Sequence, residues 1–202
     1  MSEERITFQS RTIRIEGLLC MQDGERGAVI THPHPLYGGS MYNQVVEVLA
    51  RVYQDKGFTT LRFNFRGVGS SEGAYDQGKG EGEDVKAALH YLRKKGKADL
   101  DLAGYSFGVW VNATILDSEP LINKLIMVSP PVAFLEFPSC IRTPKIRLVV
   151  AGDKDEIAPV DQIRQLIADW DAPPDIEVIE GADHFYSGKI DTLYSVLSRK
   201  IT

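Results

Sequence analysis

Ala98-Asp-Leu-Asp-Leu-Ala-Gly-Tyr-Ser-Phe-Gly108 is the stretch that decides how this chain folds. The apolar run up to Ala103 reads as a strand. Gly104-Tyr105-Ser106-Phe107-Gly108 is a G-x-S-x-G turn that opens directly into 106–116, a segment apolar nearly all round, as a buried helix should be. A strand that turns sharply into a helix at a serine lifts the hydroxyl above the sheet, provided the flanking glycines leave room for the backbone packed around it. By itself the pentapeptide also fits a tight turn with an idle serine. Ser106 takes its meaning from what surrounds it.

Outward from that turn, strands and helices alternate without a linker between domains, so residues 1–202 read as a single domain. Ile6–Gln9 and 12–19 look like an opening antiparallel pair. A short strand over 27–32 runs into a Pro/Gly loop that ends at Gly39. Val45, Val48, Leu49 and Val52 fall at i, i+3, i+4 and i+7, which predicts a helix over about 43–56, closed by Gly57. A strand at 58–65 leads to the glycine-rich turn 66–73, and Val85, Ala88, Leu89 and Leu92 mark a second helix ending near Gly96. The cluster Gly78-Lys-Gly-Glu-Gly82 lacks the G-K-[ST] of a phosphate loop and reads as a flexible lead into that helix. Beyond 116, strands are expected at 124–128, 146–150 and 176–179. The helices there carry Ile163, Leu166, Ile167 and Trp170, then Ile190, Leu193 and Leu197. Strands separated by helices imply a mostly parallel sheet of about seven or eight strands, covered on both faces, with its site at the carboxyl ends of the strands.

The composition is that of an ordinary globular protein of 202 residues, 43% hydrophobic and 25% charged. A net charge of −5 provides no basic excess for nucleic acid. No run is long enough to span a bilayer, and the polar start Met1-Ser-Glu-Glu-Arg5 lacks the apolar core of a signal peptide, so a cytoplasmic protein is expected. Cys20 and Cys140 are far apart, and Cys20, in an apolar stretch, reads as a buried thiol rather than half of a disulfide.

A serine hydroxyl is a poor nucleophile until a base takes its proton, and an imidazole base needs a carboxylate to fix its tautomer. Of the four histidines, His90 sits inside a helix, whereas His184 lies in the loop after the last strand, where it can reach a serine at a neighbouring strand end. The strand before it opens into Asp153-Lys-Asp155-Glu156, three carboxylates on one loop. Serine, then acid, then histidine, each at a strand end, is a catalytic order. His32-Pro-His34 could suggest metal ligands, but it lacks the further H-x-x-H or cysteine ligands such a site needs, so neither metal nor cofactor is expected.

From end to end the chain resembles an α/β-hydrolase, and Gly152-x-x-Asp155-x-x-x-Pro159 is similar to that superfamily's acid loop. By that match Asp155, rather than Asp153 or Glu156, takes the carboxylate role beside Ser106 and His184. His32-Pro-His-Pro-Leu-Tyr-Gly-Gly39 and Phe65-Arg-Gly-Val-Gly-x-Ser71 resemble the small lidless bacterial hydrolases near the dienelactone hydrolases. Those enzymes proper carry cysteine at the elbow, so their substrate does not carry over to Ser106. The resemblance implies an oxyanion hole built from the N–H of Phe107 and a second N–H from the loop after the third strand. Pro33 and Pro35 have no N–H, which leaves His34 and Leu36; alignment with the superfamily's His-Gly-Gly-Pro variant favours His34. Arg66 reads as a tie within its turn rather than an anchor for a substrate carboxylate.

Capped relatives insert helices between the strands ending near Val128 and starting near Ile146. Here that gap is only 129–145, too short for a lid domain. Tyr37, Tyr105, Phe107, Phe134 and Phe137 are candidates for an apolar pocket wall, though some could simply pack in the core. These features point to a serine hydrolase acting on a small or medium acyl ester or thioester. The alternatives are a peptidase or amidase, which would need a site for a peptide terminus, and a non-catalytic binding protein of hydrolase shape.

Overall fold

In the computed structural model, which describes residues 2–138 and 144–202, the expected amino-terminal pair forms: β1 (Glu4–Ser10) lies antiparallel to β2 (Ile13–Cys20). β2 is antiparallel to β4 (Thr59–Phe63). From there the sheet is parallel, through β3 (Arg26–Thr31), β5 (Asp99–Tyr105), β6 (Ile122–Val128), β7 (Ile146–Gly152) and β8 (Asp175–Ile179). The order across the sheet is β1-β2-β4-β3-β5-β6-β7-β8. The progression across the sheet reverses between β3 and β5, the switch point at whose carboxyl ends open α/β sheets place their ligand sites.

Among the described residues, five α-helices cover the sheet. α1 (Gln44–Asp55) starts where the Asn43 side chain accepts the Val45 N–H at 2.9 Å, and it buries the Val45, Val48, Leu49 and Val52 stripe. α1 and α5 (Ile190–Lys200) pack on one face of the sheet. α2 (Lys79–Lys94), α3 (Phe107–Ile115) and α4 (Val160–Ala168) pack on the other. Trp170, expected on α4, lies just beyond its end and is buried there.

One expectation fails in an instructive way. Lys79–Gly82 is the first turn of α2, not a flexible lead. Glu81, fully buried, accepts the N–H of Asp76 at 2.9 Å and of Gly78 at 2.8 Å, closing the helix start with its own carboxylate. Gly80 is required by a neighbour: a Cβ there would fall onto the Arg66 guanidinium. Arg66 is indeed a tie. It donates from Nη2 and Nε to the buried Asp84 of α2 at 2.8 and 3.0 Å, and Asp84 also accepts the Ser10 hydroxyl at 2.6 Å.

Residues 129–138 form turns rather than a lid. Cys20 is a buried free thiol, and Cys140 lies outside the described residues. Among the described residues, no helix is long and apolar enough to cross a membrane.

Candidate active site

The end of β5 delivers Ser106 with φ 55° and ψ −121°, a conformation L-residues rarely adopt. Close packing beneath it holds the turn. The Thr31 hydroxyl donates to the Ala103 carbonyl at 3.2 Å and accepts from Asn112 Nδ2 at 2.9 Å, all of it buried. A Cβ on Gly104 would stand 2.5 Å from that hydroxyl oxygen and 2.7 Å from Asn112 Nδ2. One on Gly108 would stand 2.5 Å from the same oxygen and 2.8 Å from the His32 carbonyl. The two glycines let β3, β5 and α3 converge on one buried polar knot. The Ser106 N–H is satisfied across the sheet by Val128 O at 3.0 Å.

Three sequence-distant side chains meet above this turn. The Ser106 hydroxyl lies 3.0 Å from His184 Nε2, and His184 Nδ1 lies 2.9 and 3.0 Å from the two carboxylate oxygens of Asp155. Each of the three residues is less than a tenth exposed. Burial pushes the Asp155 carboxyl up, but the His184 imidazole, the Ala158 N–H and the Ser129 hydroxyl outweigh it and hold the group below the usual carboxylate range. Asp155 is therefore ionised at neutral pH and can only accept, so it takes the Nδ1–H of His184; in the neutral imidazole that tautomer leaves the Nε2 lone pair facing Ser106. The Ile157 and Ala158 amides also donate to Asp155 Oδ1, at 3.0 and 2.8 Å.

The other two carboxylates of that loop do not reach the histidine. Asp153 accepts the Gly181 N–H at 2.6 Å and fastens the acid loop to the histidine loop, and Glu156 is exposed.

The loop after β3 bends into a short 3₁₀ turn at Pro35–Tyr37. The Leu36 N–H is committed to His34 Nδ1 at 3.2 Å, which removes Leu36 from the two oxyanion donors considered. The amides of His34 and Phe107 make no hydrogen bond among the described residues, and Phe107 opens α3, where amides lack intrahelical acceptors. His32 is buried and fully engaged. Its Nδ1–H donates to Pro33 O at 2.6 Å, and its Nε2 accepts the Phe65 N–H at 3.0 Å. Burial drives its pKa down to about 4, so it is neutral, with no lone pair left for a metal.

The pocket candidates separate. Tyr37 and Phe134 are exposed, 87% and 73%, while Phe137 packs half-buried against the core. Tyr105 is not a pocket residue: its ring is only 1% exposed, lies 5.3 Å from the His184 ring, and its hydroxyl donates to the His184 carbonyl at 2.7 Å. Alternation along β5 turns residue 105 into the core as it lifts residue 106 out. Phe107, at 1%, is core as well. Sequence reasoning missed Ser129 and Tyr186, whose hydroxyls lie 2.9 Å apart beneath Asp155, because nothing in 122–132 or 181–188 sets them apart from ordinary loop residues.

No protein-family model matches the chain. An uncharacterized protein of Rickettsia prowazekii (strain Madrid E) is 35% identical over 200 residues, spanning 93% of this chain and 84% of its own. An alpha-beta serine hydrolase homologue from Coxiella burnetii superposes with a TM-score of 0.91 at 36% identity, over 100% of this chain and 99% of that one. A Xanthomonas campestris protein described as a serine hydrolase without lid superposes equally well, TM-score 0.91, at 28% identity, over 100% of this chain and 94% of its own.

Proposed function

Since the chain belongs to the α/β-hydrolase superfamily, we propose that it is a serine hydrolase cleaving a small or medium acyl ester or thioester through an acyl-Ser106 intermediate. One observation carries this reading: the unbroken hydrogen-bonded line from the strained Ser106 through His184 to an ionised Asp155.

Ser106 Oγ attacks the substrate carbonyl carbon as its proton passes to His184 Nε2. The carbonyl π electrons move onto oxygen, and that oxyanion is received by the Phe107 and His34 amides. Asp155 stabilises the imidazolium by accepting from Nδ1–H throughout. When the intermediate collapses, the bond to the leaving oxygen or sulfur breaks and His184 returns the proton to it, leaving an acyl ester on Ser106. Water then repeats the sequence: His184 takes one of its protons, the hydroxide oxygen bonds the acyl carbon, and the proton returns to Ser106 Oγ as the acid departs. One water is consumed, and one acid and one alcohol or thiol are released.

A fluorophosphonate probe tests the nucleophile. It is expected to label the protein at Ser106 and to leave Ser106→Ala unlabelled with an unchanged circular dichroism spectrum. A panel of p-nitrophenyl esters and acyl thioesters then ranks the leaving groups. An unlabelled wild-type chain that turns over none of them would remove the serine hydrolase reading.

A further inference from the structure

Beside the elbow lies a cluster of aromatic rings that the bond-making steps do not use. Phe107, buried, is its hub: His34 sits 4.7 Å from it, Trp110 5.6 Å and Tyr75 5.9 Å, centroid to centroid, all tilted. His34 also meets Tyr75 at 5.1 Å and Tyr37 at 4.7 Å. His34, Tyr75 and Trp110 are half-buried and Tyr37 is exposed, so each of the four rings keeps accessible surface, three of them resting on Phe107 and Tyr37 resting on His34. Their separations of 4.7–5.9 Å are those at which ring pairs attract by offset or edge contact, and another ring brought against the same surfaces would meet the same geometry.

The position of these rings says which half of a substrate they would touch. The carbonyl oxygen points at the His34 and Phe107 amides, the two residues at the centre of the cluster. The leaving atom must lie at His184 Nε2, which supplies its proton. The His184 ring, however, packs against Tyr105 and Phe185 and shares no ring contact with His34, Tyr37, Tyr75 or Trp110. The cluster therefore borders the oxyanion donors and not the His184 side; of the groups on the tetrahedral carbon, the nucleophile, the oxyanion and the leaving atom already have their places, and the acyl substituent is the one left to meet these rings.

We propose that His34, Tyr37, Tyr75 and Trp110 form an acyl subsite selective for carboxylic esters or thioesters that carry an aromatic ring on the acyl side. The assignment rests on the serine hydrolase reading above, and it makes the ring, rather than chain length, the feature selected.

The experiment compares two esters matched in leaving group and in distance from ring to carbonyl, p-nitrophenyl 3-phenylpropanoate and p-nitrophenyl 3-cyclohexylpropanoate. The saturated ring is as large and apolar but has no π face. The wild-type enzyme is expected to favour the phenyl ester by about 5- to 10-fold in kcat/KM, the size of one or two ring contacts. That preference should fall below about twofold in Tyr75→Leu and in Trp110→Leu. The ratio is taken within one preparation, so a variant that folds in part still reports it. Equal kcat/KM for the two esters in a wild-type enzyme that takes the fluorophosphonate at Ser106 would overturn the subsite and leave the hydrolase standing. A preference that survives both substitutions would overturn the assignment to these rings. Loss of both labelling and ester turnover in the wild type would remove the hydrolase reading, and the subsite with it.

Discussion

The sheet carries two buried aspartates at opposite ends, and they behave in opposite ways. Asp155, beyond the carboxyl end of β7, receives His184 Nδ1–H, two backbone amides and a serine hydroxyl, and is held below the usual carboxylate range in spite of its burial. Asp101, inside β5 toward the amino-terminal edge, has the Tyr53 hydroxyl at 3.4 Å, and its Oδ1 is buried with no partner among the described residues. Its pKa rises to about 6, chiefly by desolvation. The two side chains are equally inaccessible, so burial alone does not set the charge. The number of donors aimed at the carboxylate does. The end of the sheet that is proposed to do chemistry is the end where a buried charge is fully met.

The severest way to break that contrast is to remove the acceptor at the well-served end. Asp155→Asn is expected to lower kcat on a p-nitrophenyl ester by about 10⁴-fold, because an amide no longer fixes the Nδ1–H tautomer of His184. Steady-state kinetics on a variant with unchanged circular dichroism checks this. A loss below about tenfold would place the work of orienting His184 elsewhere.

Stability against pH sharpens the same contrast. His32 has its folded pKa lowered to about 4 from 6.5, so the unfolded chain binds the proton first as pH falls. Roughly 3 kcal/mol of stability is lost between about pH 6.5 and pH 4. Asp101 works the other way. Its folded pKa is raised to about 6 from 3.8, so its contribution is present at low pH and is lost as pH rises through about 6, again by roughly 3 kcal/mol. In the native protein the two slopes largely offset each other between about pH 4 and pH 6. Asp101→Asn is expected to expose the His32 slope: urea midpoints should drop more steeply on acidification than in the wild type, and stability at pH 8 should rise by about 2–3 kcal/mol. Parallel curves for the two proteins would show that Asp101 is not the raised group.

The smallest effects belong to the carboxylates that sit on the acid loop but miss the histidine. Glu156→Gln is expected to change kcat less than about twofold. Asp153→Asn, which weakens the tie to the Gly181 amide, should change it less than about tenfold and lower stability by about 1 kcal/mol. If Asp153→Asn were the crippling change, the loop would have to close differently in solution.

Much of this was legible in the residues. The i, i+3, i+4, i+7 stripe of α1, the alternation of strands with helices and the G-x-S-x-G turn all act through local periodicity, and the eight-stranded sheet follows from them. Ser106 and His184 stand out in the sequence as candidates for nucleophile and base at strand ends, and the structure brings their side chains within 3.0 Å of each other. Three things were not legible, each because a distant neighbour decides it. The glycine cluster at 78–82 reads as a flexible lead, yet 79–82 is helical, and position 80 must be glycine there because the Arg66 guanidinium fills the space a Cβ would take. Tyr105 reads as a candidate pocket ring, but the alternation of β5 turns it inward to carry the His184 loop. Which of Asp153, Asp155 and Glu156 meets the imidazole depends on how two loops fold against each other. Local pattern left that choice open, and only the family resemblance singled out Asp155.

The strained backbone of Ser106 has a further consequence, in durability. At φ 55° and ψ −121° a side chain is held in a conformation that glycine alone adopts freely, at a cost of about 1–3 kcal/mol for other residues. Glycine at position 106 would relax the turn and release some of that energy. Here resistance to heat and the presence of the proposed nucleophile pull in opposite directions. Any effort to toughen this protein by selecting on melting temperature alone would drift toward glycine at this residue and arrive at a sturdier protein without its proposed nucleophile.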